Sequence, residues 1–126
     1  MRFLSQREHS RQELQRKLLQ RGYVAADVCS VLDNFAKEKL QSDERFAEAY
    51  VHSRGLKGYG PKRICLELQQ KGVNEAIIEA ALANADIDWQ ERAEIVYKKK
   101  FSDSPPQDFQ EKMKRQQFMR YRGFSM

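Results

Sequence analysis

Apolar residues recur at helical spacing along most of the chain, and no stretch alternates long enough to make a strand. Leu14, Leu18 and Leu19 follow i, i+4, i+5, and Ile64 and Leu68 follow i, i+4. Start and stop signals bracket these stripes. Ser10-Arg-Gln-Glu13 is a capping box: the serine oxygen takes the N3 amide and the glutamate returns to the cap amide. Gly60 and Pro61 form a cap and first-turn pair, because proline at N1 loses no needed hydrogen bond. Ser42, Asn74 and Asp88 can cap helices over 43–56, 75–84 and 89–100. Gly22, Gly72 and Gly123 each follow a cation that closes an apolar stripe. That pattern predicts a left-handed residue just past a helix end, with the cation facing the negative end of the dipole. The run "SDSPPQD" at 102–108 reads as a linker.

These signals repeat about every fifty residues. With Gly22 laid on Gly72, Leu14 meets Ile64, Leu18 meets Leu68 and Arg21 meets Lys71. Beyond the glycine, Tyr23 meets Val73, Ala26 meets Ala76, Val28 meets Ile78 and Leu32 meets Leu82. After a small deletion Arg45 and Tyr50 meet Arg92 and Tyr97. A third copy begins near Gln107, where Met119, Arg122, Gly123 and Phe124 take the places of Leu68, Lys71, Gly72 and Val73. It is imperfect, because Arg115 falls where the others have Leu14 and Ile64. The expected architecture is all-α, with tandem three-helix repeats in an elongated molecule. The expected division is 1–56, 57–102 and 103–126, with the third repeat incomplete. Units this small bury little alone and depend on their neighbours.

Composition sharpens this picture. Hydrophobic residues are 40% and charged residues 33% of the 126 positions, with a mean hydropathy of −0.81. Small cores between helices suit that balance better than one deep core. The formal net charge is +5, and it follows the repeat. Residues 2–22 carry +4, 54–72 carry +4 and 98–122 carry +5, whereas 23–53 carry −3 and 73–97 carry −5. The first helix of each copy is therefore basic, and stacked copies would present a cationic stripe suited to an anionic partner. The competing reading is that these cations pair with the acidic helices beside them, each exposed pair contributing only ~0–1 kcal/mol.

Several chemistries are excluded. No apolar run approaches the ~20 residues of a membrane span, and "MRFLSQREHS" lacks the apolar core of a signal peptide. Cys29 and Cys65 make no disulfide framework; both are expected as buried, inert thiols in a reducing cytoplasm. "GYGPKR" lacks the phosphate-loop pattern and follows a helix. His9 and His52 have no partners at metal-ligand spacing. No nucleophile has an adjacent base, and the carboxylates are expected on exposed helical faces. Trp89 is expected as a packing anchor rather than a base-stacking platform. A non-enzymatic protein without cofactor or metal is the expectation.

Five blocks carry a resemblance: "REHSRQELQRKLLQRG" at 7–22, "SDERFAEAYVHSR" at 42–54, "KGYGPKRICLELQQKGV" at 57–73, "DIDWQERA" at 86–93 and "KRQQFMRYRGF" at 114–124. In this order they resemble successive segments of the RecX family, bacterial regulators of the RecA recombinase. The resemblance implies three tandem three-helix repeats in a curved molecule. It implies binding in the groove of the RecA–single-stranded DNA filament; a cytoplasmic monomer is the separate expectation. It further implies inhibition of filament growth, ATP hydrolysis, strand exchange and co-protease activity, with DNA binding in many members. The family's third repeat continues after "RGF", so a terminal helix is expected to be missing here. No catalytic residues carry over. Charge nominates contacts to RecA or DNA: Arg11, Arg16, Lys17 and Arg21 in the first copy, and Lys57, Lys62, Arg63 and Lys71 in the second. Lys98, Lys99, Lys100, Lys114, Arg115, Arg120 and Arg122 follow near the third. The alternative function is a helical protein that binds DNA without sequence preference and independently of RecA.

Overall fold

The computed structural model describes residues 8–39, 41–102 and 104–124. Among these, every regular element is helical: α1 Arg11–Gln20, α2 Ala25–Lys37, α3 Asp43–Leu56, α4 Pro61–Gln70, α5 Glu75–Asn84, α6 Trp89–Phe101 and α7 Phe109–Tyr121. The capping chemistry works as the sequence predicts. Ser10 closes a full capping box with Glu13, and Ser42, Asn74 and Asp88 accept from the third-residue amides of α3, α5 and α6. Asp108 does the same for α7. Gly22, Gly72 and Gly123 all have positive φ, and so does Gly58, which ends α3 in the same way.

Two small cores follow from the apolar stripes. Leu14 and Leu18 of α1 pack with Val28 and Leu32 of α2. Phe46, Ala47 and Val51 of α3 meet Ile64 and Leu68 of α4, Val73, and Ile78 and Ala81 of α5. Each buried side chain of this size contributes about 1.5–3 kcal/mol, so each cluster is marginal alone. Trp89 packs against the second core, near Gly55, as an anchor. In the third unit Phe101 stacks edge-on to Phe118 and tilts against Tyr97.

The period of the repeat stands, but packing divides the chain at a different phase. The division at 56/57 cuts between α3 and α4, yet α3, α4 and α5 form one mutually packed bundle. The packed units are α1–α2, α3–α5 and α6–α7. An alignment anchored on the glycines finds the period and is blind to which neighbour shares each core stripe. Two other expectations are corrected. Leu19 is exposed, because only Leu14 and Leu18 face α2. Cys29 is exposed, and Cys65 is half-buried at the edge of the second core.

The units join end to end through the three equivalent helices. Ser10 Oγ, at the start of α1, donates to the Lys71 carbonyl at the end of α4, 2.9 Å away. The Gly60 amide, at the start of α4, donates to the Arg122 carbonyl at the end of α7 (2.6 Å), and Lys62 N–H donates to Gly123 O (3.2 Å). A helix start has orphan amides and a helix end orphan carbonyls; the second joint pairs the two directly, and the first satisfies its carbonyl through the Ser10 hydroxyl. The accessible surface is 8650 Å², against about 7,000 Å² for a compact monomer of this mass. The excess fits units strung in a row.

Candidate interface for an anionic partner

The structure sorts the basic residues by what they already touch. Arg11 pairs with Asp33 at 2.8 Å, and Lys71 with Glu13 at 3.3 Å across the first joint. Lys17 Nζ lies 2.9 Å from His9 Nε2. Arg63 donates to Glu67 and to the Tyr121 carbonyl, tying α4 to α7. Arg115 is buried at 6% exposure, where it meets Tyr97 Oη, the Ser104 carbonyl and Glu111. Arg11 and Lys71 pair between helices, as the competing reading of the charge pattern holds, whereas Arg63 and Arg115 take their carboxylate partners from their own helices.

The others face outward. Arg16, Arg21, Lys57, Lys62, Lys98, Lys99, Lys100, Lys114 and Arg120 are exposed. Arg122 is half-buried over the rings of Tyr59 and Phe118. Lys62 and Arg120 come together with Arg63 on one side of the second joint, around Gln70 and Tyr121. On the other side Lys57, Lys99, Lys100 and Arg122 converge with Arg92 on a single cleft. None of these five is in an ion pair among the described residues, so their charge is available to a partner. Gly58 lies at this cleft, with Val96 Cγ2 only 3.1 Å from where a Cβ would stand, so a side chain there would press on Val96 of α6.

Arg92 is the residue that sequence reasoning missed, because it sits in the acidic stretch 73–97 and net charge hid it. A helical-face reading would have found it: Arg92, Ile95, Val96 and Lys99 stand at i, i+3, i+4 and i+7.

Beside the joint lies a carboxylate that is not on an exposed face. Glu67 accepts from Tyr50 Oη at 2.9 Å, Arg54 Nε and Nη2 at 3.0 Å, and Arg63 Nε at 3.1 Å. Burial alone would push its carboxyl up, but the bonds from Arg54, Tyr50 and Arg63 together outweigh it and hold Glu67 below its ordinary value. Burial, and then donation to Glu67, push the Tyr50 phenol up to about 12. Arg54 also lies 3.8 Å over the Tyr59 ring. The cluster is saturated with internal partners and positions α4, so its role is structural. No group of His, Cys, Asp and Glu suited to a metal occurs among the described residues, and no described helix is long and apolar enough to cross a membrane.

The chain matches family models described as RecX first, second and third three-helix domains over residues 1–35, 42–82 and 86–126. It is 44% identical over 126 residues to the Regulatory protein RecX of Pseudomonas fluorescens (strain SBW25), covering 100% of this chain and 81% of that protein. It is 41% identical over 125 residues to the Regulatory protein RecX of Halorhodospira halophila (strain DSM 244 / SL1), covering 99% and 78%. A crystal structure of regulatory protein RecX superposes with a TM-score of 0.80 at 25% identity, over 98% of this chain and 62% of that one. The crystal structure of RecX from Lactobacillus salivarius superposes with a TM-score of 0.80 at 24% identity, over 98% and 82%, a likeness of fold.

Proposed function

The chain belongs to the RecX family of regulatory proteins, and we propose that it binds the RecA–single-stranded DNA filament and inhibits it. In this reading it is a non-enzymatic cytoplasmic monomer. It blocks filament growth and so lowers ATP hydrolysis, strand exchange and co-protease activity. The observation that carries the reading is the set of cations on both sides of the second joint, all but Arg63 outside any ion pair among the described residues. An elongated row of units with positive charge along it suits an elongated anionic assembly. The expected result is that substoichiometric protein slows the DNA-dependent ATP hydrolysis of RecA. Unchanged hydrolysis at saturating, folded protein would sink the proposal.

The exposed run Lys98–Lys100 with Lys114 favours a second reading, DNA binding without RecA. Fluorescence anisotropy on single- and double-stranded oligonucleotides across a salt series separates the two. Tight, RecA-independent binding with a steep salt slope supports the second. The cleanest charge reversal is Lys62→Glu with Arg120→Glu, both exposed, because reversing Arg63 would also break its bonds to Glu67 and Tyr121.

A further inference from the structure

The cleft that collects Lys57, Arg92, Lys99, Lys100 and Arg122 has a second property, its floor. Leu56 ends α3 at 56% exposure and Ile95 lies on α6 at 46%. Both line the cleft, with Val96 and Phe118 beside them. The cleft holds about 320 Å³, and no Asp or Glu is among the described residues that line it. The opposite cleft, around Lys62 and Arg120, differs: Glu67 and Gln70 stand in its wall.

We propose that the cleft between α3, α6 and α7 is a docking site for an acidic protein segment anchored by Leu, Ile or Phe side chains. Charge complementarity selects an anionic occupant, since five cations converge there with no ion pair to them among the described residues. The floor then chooses between anions. Single-stranded nucleic acid gains affinity by stacking bases on open aromatic faces. Here the one ring among the described residues that line the cleft, Phe118, is half-buried and already faced by Lys100 at 5.5 Å and Arg122 at 5.3 Å. What remains open is aliphatic, and aliphatic surface rewards burial of aliphatic or phenyl side chains, not phosphate. A rim of cations around an apolar centre is the arrangement of a peptide site, with the charges speeding encounter and the floor holding the complex. This deepens the reading above and rests on it for the source of the segment, a protein surface of the filament rather than its DNA.

The test needs no RecA. A fluorescein-labelled amphipathic peptide of Asp, Glu, Leu and Phe is titrated against the full chain, beside labelled polyglutamate and labelled oligothymidylate. The expected order puts the amphipathic peptide about tenfold tighter than polyglutamate. Leu56→Ser with Ile95→Ser should cost that peptide about tenfold and leave the other two probes unchanged. Lys99→Glu with Lys100→Glu should weaken all three. Circular dichroism checks that the variants fold, which the exposure of all four positions favours. Equal affinity for peptide and polyglutamate overturns the proposal, as does indifference to the serine pair. Displacement of the peptide by oligothymidylate at lower concentration also overturns it and assigns the cleft to nucleic acid. Inhibition of RecA hydrolysis that survives these failures leaves the filament reading standing. Peptide binding with no effect on hydrolysis does the reverse.

Discussion

The corners at Gly123 and Gly22 are the same local structure with different neighbours. Each follows a cation, each has positive φ, and each ends an equivalent helix. At Gly123 the end of α7 is pressed onto the start of α4, and an added Cβ would lie 2.5 Å from Arg63 N and 2.9 Å from Gly60 O. At Gly22 an added Cβ would meet nothing within 4 Å. Gly72 stands between, with the Gln12 side chain in the way of its added Cβ. One glycine therefore serves two purposes that the sequence shows as one: closing its own helix and admitting the next unit. The contrast teaches that the repeat is held together by helix ends.

The strongest way to break that contrast is Gly123→Ala. The left-handed backbone costs an L-residue about 1–2 kcal/mol. Here the clash is with backbone, which cannot turn aside as a side chain can, and overpacking adds about 1–3 kcal/mol. The expected loss is about 3 kcal/mol or more, with the bonds Gly60 N–H to Arg122 O and Lys62 N–H to Gly123 O opened. Loss of amide exchange protection at Gly60 and Lys62, beside a lowered Tm, would report it. A wild-type exchange pattern would mean that these bonds do not depend on Gly123.

Glu67 sharpens the comparison by loosening the same joint from its side chains. Glu67→Gln leaves Arg54 and Arg63 without their counter-ion and should destabilise by about 2 kcal/mol. The pH dependence has a definite sign. The folded carboxyl titrates below its ordinary value, so its stabilisation is present above the unfolded pKa and is lost as pH falls through the folded one. Tyr50 runs the other way: its phenol is raised from 10 to about 12. Its contribution is intact below the unfolded value and lost as pH rises through the folded one. The acid limb of Tm against pH should flatten in Glu67→Gln, and the alkaline limb in Tyr50→Phe. Limbs that match wild type would acquit the cluster.

Much of this was legible in the chain. The helices and their caps were, because capping is local chemistry: Ser10, Ser42, Asn74 and Asp88 act within three residues of themselves. The repeat period was, because Gly22, Gly72 and Gly123 mark it. The phase was not, since only tertiary contacts show that α3 shares its core with α4 and α5. Nor was the commitment of Arg115 and Arg63, because a cation's partner is set by what the fold brings across: Tyr97 and Ser104 for one, Tyr121 for the other. The aliphatic floor of the cleft was hidden for the same reason, as Leu56 and Ile95 lie far apart in sequence.

Gly72→Ala and Gly22→Ala complete the series. At Gly72 the obstruction is the Gln12 side chain, whose end can swing away although its Cβ, 2.9 Å off, cannot. A loss of about 2 kcal/mol is expected, the left-handed cost plus a partial repacking. At Gly22 only the backbone cost remains, about 1 kcal/mol, and Gly22→Asn should recover part of it because asparagine tolerates the left-handed region. Urea denaturation of the three alanine variants should therefore rank them Gly123, Gly72, Gly22. The m-value carries further information, since a variant that opens a joint exposes surface before global unfolding and breaks two-state behaviour. Gly22→Ala should keep the wild-type m-value and shift only the midpoint. If it instead fell as far as Gly123→Ala, the first corner would also be an occupied joint, and the difference between the two ends of the molecule would vanish.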